Sequence, residues 1–169
     1  MSKFILIRKT DITSAVSSVT IDSVFSSKYK NYKIVFENLT SSATGRSDIR
    51  FLDSSGTEIT ANYMYGLRIL NSLNSGSNMH SSSDAELESC LVDTYNGYGG
   101  MSGILNVNQP YESVFTQVTA TSYAGDTTSR LYNYGGQLSA TTSCRGFKYI
   151  NSNTLDATGS IYVFGFVES

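Results

Sequence analysis

The residues with the widest chemical reach lie close together in the middle of the chain. His80, the only histidine, is followed by Ser81, Ser82, Ser83 and Asp84, and then by Glu86 and Glu88. A serine nucleophile needs a histidine base and an acid that orients it, gathered by the fold from separate places. Here the three types are merely sequence neighbours, and no Gly-x-Ser-x-Gly elbow accompanies them. His80 therefore reads as a solvated histidine in a Ser-rich loop. Asp84, Glu86 and Glu88 offer the carboxylates that glycoside cleavage uses in pairs across a sugar. Alternating acids along an exposed strand or turn account for the same pattern, and that reading is preferred.

Metal and phosphate chemistry are no better served. Asp93 with Asn96, and Asn151 and Asn153 with Asp156, carry the oxygen ligands calcium favours, but neither set follows the Asp-x-[Asp/Asn]-x-[Asp/Asn]-Gly loop. Turn chemistry explains them. Cys90 and Cys144 lack the close paired spacing of a zinc site and read as two separate free thiols, each a small buried hydrophobe. The glycines at 97, 99 and 100, and the pair Gly135-Gly136, precede no helix that would cradle a phosphate. The sequence thus assigns no catalytic residue, cofactor or metal, and the expectation is a protein that is not an enzyme.

Tyrosine is the one compositional hint of function, with 12 in 169 residues. Tyr95, Tyr98, Tyr132 and Tyr134 fall in or beside Gly/Asn loops, where an amphipathic ring stacks on a sugar or a protein partner at small entropic cost. Tyrosine also fits half-buried strand positions, the preferred reading for each ring singly. Together they mark a candidate interaction surface.

The elements that would position these residues are strands. Tyr32, Ile34 and Phe36 alternate with Lys33 and Glu37; Ile49 and Phe51 share a side before the turn Asp53-Ser54-Ser55-Gly56; Tyr63, Tyr65, Leu67 and Ile69 alternate in the next run. Residues 71–83 are Ser- and Asn-rich with little apolar content and read as an exposed loop. Asp84 to Val92 fits one helical turn or a strand, since Leu87 and Leu91 share a side either way. Further short strands follow at Ser102 to Val107, Tyr111 to Ala120 and Arg130 to Ser139. Two more close the sequence, Gly146 to Ile150 and Gly159 to Phe166. Ile161, Val163 and Val167 alternate there with Tyr162, Phe164 and Phe166, so both faces are apolar. One face needs the core, and the other a cover from within the domain or from another subunit.

About eight to ten short strands with turns near every ten residues argue a single antiparallel all-β domain over 1–169, a sandwich or barrel rather than βαβ units. Residues 1–15 form an N-terminal arm or edge strand around Phe4-Ile5-Leu6-Ile7, a run too short for a signal h-region or a membrane span. Only 15% of residues are charged, against a typical ~25%. Ser and Thr, roughly a quarter of the chain, supply the polar surface instead. The net charge of −2, with Lys and Arg scattered, gives no footprint for nucleic acid.

Three stretches carry a resemblance. Tyr29-Lys30-Asn31-Tyr32-Lys33-Ile34-Val35-Phe36-Glu37-Asn38-Leu39, then Ile49-Arg50-Phe51-Leu52-Asp53-Ser54-Ser55-Gly56, and finally Gly159-Ser160-Ile161-Tyr162-Val163-Phe164-Gly165-Phe166 resemble a group of tailed-bacteriophage virion proteins. The resemblance implies a jelly-roll-like β-sandwich and a structural role, as a head decoration or cement protein bound to the major capsid protein or other virion proteins. The alternative it carries is a tail-fibre or receptor-binding domain contacting host glycan or protein. By the same analogy the chain is a homo-oligomer, with a trimer expected, located in the virion after assembly in the host cytoplasm. No nucleic acid and no membrane is expected as a partner. The absence of a heptad shaft or collagen-like segment favours decoration.

Overall fold

A computed structural model of the chain describes residues 3–71, 76–94, 100–124, 129–156 and 158–167. Among the described residues there are twelve strands and no helix. In chain order they are β1 (Lys3–Asp11), β2 (Val16–Ile21), β3 (Asn31–Leu39), β4 (Gly45–Asp53), β5 (Tyr63–Asn71) and β6 (Gly76–Asp84). They continue as β7 (Leu87–Thr94), β8 (Met101–Asn108), β9 (Thr116–Ala124), β10 (Arg130–Leu138), β11 (Cys144–Leu155) and β12 (Ser160–Val167). All pair antiparallel, in an eight-stranded sheet of order β1-β12-β3-β8-β9-β10-β5-β6 and a four-stranded sheet of order β2-β11-β4-β7.

The topology is a jelly roll with two hairpins added. Setting β5–β6 and β9–β10 aside, the remaining strands form the nested neighbours β1 with β12, β2 with β11, β3 with β8 and β4 with β7. Successive strands of this set cross from one sheet to the other everywhere except between β4 and β7. That is the doubled Greek-key path of a jelly-roll sandwich. The added hairpins leave from β4 and β8 and extend the larger sheet past β8. They are also why the strand count exceeds the eight to ten expected.

The core lies between the sheets and is built by period-2 alternation, which sends every second side chain to the same face. Tyr32, Ile34 and Phe36 of β3 meet Ile49 and Phe51 of β4 and Phe147 and Tyr149 of β11, all at most 2% exposed. Phe25, on the turn after β2, packs its ring 4.7 Å from Tyr32 and 6.1 Å from Phe147. Buried tyrosines need partners for their hydroxyls. Tyr63 donates to the Ile59 carbonyl and accepts from the Phe51 amide at 2.8 Å, and Tyr32 does the same with both backbone groups of Ser26. Cys90 and Cys144 are free and buried, and burial pushes both thiols up, Cys144 to about 11.

One sequence expectation changes and one open alternative closes. Of the segment 71–83, the described part is not a loop: Asn71 ends β5, and Gly76 onward is β6, an edge strand paired to β5 from Leu70↔Gly76 to Tyr63↔Asp84 with one shift between Tyr65 and Tyr63; residues 72–75 lie outside the described residues. Its residues are nearly all exposed, so backbone pairing makes the strand without the burial that periodicity detects. Within Asp84 to Val92 there is no helical turn: Asp84 ends β6, a bend follows, and β7 starts at Leu87, with Leu87 and Leu91 both fully buried. The N-terminal segment is an edge strand, β1, bonded to β12 on one side.

Candidate functional site: the two outer faces of the sandwich

The outer face of the four-stranded sheet gathers the charges. Arg46 of β4 reaches three carboxylates: Asp48 at 2.9 Å, Glu88 at 2.6 Å and Glu86 at 3.2 Å. Glu86 continues to Arg50 at 2.9 Å, Arg50 to Glu58 at 3.1 Å, and Glu58 to Lys148 at 2.6 Å. The result is one chain of alternating charges across β7, β4 and β11. Asp48 is its buried member, with a side chain 2% exposed. Burial pushes its carboxyl up to about 6, against the Ser89 amide at 2.8 Å and the Arg46 guanidinium, which both favour the charged form. The Lys148 ammonium holds Glu58 below the usual carboxylate range.

A raised carboxyl beside a cleft is a common mark of acid–base chemistry. Here the acids are engaged with one another's counter-ions. Glu86 and Glu88 are both held by Arg46, and Glu88 also accepts from the Tyr65 hydroxyl at 3.1 Å. Asp84 accepts from the same hydroxyl at 3.4 Å. The trio that the sequence offers as carboxylates for sugar cleavage is thus drawn into the ion-pair chain and its margin. His80 lies on β6, the edge strand of the larger sheet, exposed and opposite Gly66. Among the described residues no group of three His, Cys, Asp or Glu side chains stands together as metal ligands. Asn151 and Asn153 are used inside the fold: Asn151 donates to Thr94 Oγ1 at 2.8 Å, and Asn153 donates to the Thr44 carbonyl. The side chain of Asp93, and Asn96 with it, lie outside the described residues.

The candidate interaction tyrosines separate. Tyr132 and Tyr134 sit within β10 with side chains turned into the sandwich, 3% and 5% exposed, and Tyr134 stacks on Tyr65 with centroids 5.5 Å apart. They do not form a surface. The neighbouring Asn133, Gly135 and Gly136 look like loop residues by type, but the strand runs straight through them, and alternation puts the rings inward. Tyr95 and Tyr98 lie outside the described residues.

The outer face of the eight-stranded sheet is different in kind. No layer of the described residues covers it, and the alternation of each strand sets out what it shows. At one end β1 and β12 present Phe4 and Leu6, 47% and 51% exposed, beside Phe166 and Phe164. Phe4 and Phe166 are 5.2 Å apart, with the Lys33 ammonium 4.2 Å above the Phe4 ring. Next comes an apolar groove of about 580 Å³ between Tyr162, Phe164 and Val35 on one wall and Ile104, Tyr123 and Leu131 on the other. Glu37 stands at its rim and accepts from the Tyr162 hydroxyl at 2.7 Å.

Beyond the groove the surface turns polar without becoming charged. The outward side chains of β8 are Ser102, Ile104, Asn106 and Asn108. Those of β9 are Gln117, Thr119, Thr121 and Tyr123. Those of β10 are Leu131, Asn133, Gly135 and Gln137. A second hollow, of about 480 Å³, lies over Gln117, Thr119, Gly135 and Gln137. Sequence reasoning missed this face, although the alternation that defines it is legible in each strand. What was missing was the order in which the strands pair.

No family model and no curated protein sequence matches the chain. Among solved structures it is similar to an alginate lyase from Alteromonas sp. 272, with 10% identity over 85% of this chain and 76% of that chain and a TM-score of 0.27. A likeness that slight argues neither fold nor reaction.

Proposed function

We propose that the chain is a non-enzymatic structural protein of a tailed-phage virion, a head decoration or cement subunit that docks through the β1–β12 end of the outer face of its larger sheet. The observation that carries this reading is the uncovered apolar strip at the β1–β12 end of that face, from Phe4 and Leu6 through Phe166 and Phe164 to Tyr162. Contiguous apolar surface of this kind marks a place where another macromolecule sits. The jelly roll supports it by analogy, since capsid proteins are among the proteins that use this sandwich. The mechanism is burial of interface area on the major capsid protein, which raises particle stability by mass action and needs no reacting group.

Labelling the protein in intact particles tests the reading. The expected result is a regular array over the head. Signal confined to the tail tip overturns decoration in favour of a receptor-binding role, the second reading, which the charge-free centre of the same face favours. Particles without signal overturn the virion assignment.

A further inference from the structure

From the outward side chains of β8, β9 and β10 we infer that the centre of the open sheet is a binding site for an uncharged saccharide chain. The inference rests on the chain being a binding protein and is independent of its place in a virion. Its first support is the absence of charge: every outward position on these three strands is a hydroxyl, an amide, glycine or an apolar residue. Among the described residues charged side chains begin at the neighbouring strands, with Lys33 and Glu37 on β3 and Arg68 on β5. A merely solvated face gains from charges of both signs. A face that must lose its water to an uncharged, hydroxyl-rich ligand does better without them, because burying an ion costs more than the hydrogen bonds return.

The second support is a pair of glycines with no structural reason to be glycine. Gly135 of β10 and Gly66 of β5 are cross-strand neighbours. A Cβ added at either meets nothing within 4 Å, and neither has the positive φ that excludes other residues. Glycine inside a strand costs stability and marks a place where something approaches the backbone closely. Here the floor it makes continues the hollow over Thr119 and Gln137.

The third support is hydrogen-bonding capacity left over. Asn106 donates to Thr119 at 3.4 Å and Thr121 to Asn133 at 3.3 Å, long single bonds that orient the amides while using a fraction of their donors and acceptors. Tyr123, 50% exposed at the edge of the apolar groove, supplies a flat ring for the C–H face of a sugar. A peptide strand has no free backbone to pair with here, since β8, β9 and β10 are bonded on both sides.

Affinity electrophoresis through gels cast with dextran, laminarin, yeast mannan or polygalacturonate tests the proposal. At least one of the three neutral polymers should retard the native protein, and the polyuronate should not at 150 mM salt. The double variant Gly66→Thr, Gly135→Thr fills open space with a strand-favouring residue. It should unfold at the same or a higher temperature and yet lose at least tenfold in affinity, and Tyr123→Ala should weaken binding by a similar factor with the fold intact. No retardation by any neutral polymer, preference for the polyuronate, or undiminished binding by the folded double variant overturns it. None of these results bears on where the protein lies in a particle.

Discussion

Asp48 carries its charge at neutral pH against the resistance of its surroundings, and this gives the protein a pH dependence of definite sign. Its folded pKa of about 6 stands above the ordinary 3.8, so between these values the native state binds more protons than the unfolded chain. Stability must therefore fall as pH rises from about 4 to 6, by up to about 3 kcal/mol for a shift of this size. Glu58, Asp53 and Asp11 are shifted downward, by Lys148, Ser55 and Lys9 respectively, and act in the opposite sense. Their contribution is present above their ordinary values and is lost as the solution is acidified below about pH 4. Denaturation midpoints should accordingly peak near pH 4 to 5, and Asp48→Asn should flatten the limb between 4 and 6 while leaving the acid limb in place. An unchanged upper limb in that variant would remove Asp48 as its cause. The sequence drew attention to Asp84, Glu86 and Glu88 because they are neighbours. Asp48 was hidden because its surroundings are long-range: the Ser89 amide that meets it comes from a segment 41 residues away.

At the scale of elements, what the sequence shows depends on what each strand buries. β3, β5 and β12 were legible because one face enters the core and alternation follows. β6 was not, since it buries almost nothing and is held by its pairing to β5. Aromatic residues beside glycines misled at β10 for a related reason: residue type indicated a loop, while the cross-strand bonds to β5 and β9 hold a straight strand. The closing strand shows how tightly the legible elements are fitted. Gly165 lies under the Tyr29 ring, and a Cβ there would stand 2.5 Å from two of its atoms. Gly165→Ala should lower stability by about 1–3 kcal/mol, the usual cost of overpacking, read as a lower denaturation midpoint. A midpoint equal to the native one would show that Tyr29 yields freely.

For the whole molecule, the second apolar face of β12 is the main unfinished business of the sequence. Tyr162 and Phe164 emerge on the open sheet and find no cover within the described chain. We propose that a second copy of the chain supplies that cover, the test being its state of association. Sedimentation at increasing concentration should show association, and Phe4→Ser with Leu6→Ser should return the protein to a monomer of unchanged circular dichroism. A monomer at every concentration in the native protein would assign the strip to a different partner. The all-β class and the sandwich were readable from strand number and spacing. The unequal sheets were not, since nothing local says that the two hairpins continue the larger sheet.

Those hairpins divide the molecule's labour along the chain. The eight strands of the jelly roll close on themselves through nested pairs, while β5–β6 and β9–β10 are excursions that leave and return without altering that path. Gly66, Thr119, Thr121, Tyr123, Asn133 and Gly135 all belong to the excursions. Their outward positions face solvent, so most can be exchanged at small cost in stability. The outward residues of this surface can therefore be substituted strand by strand while the jelly roll beneath keeps its pairing.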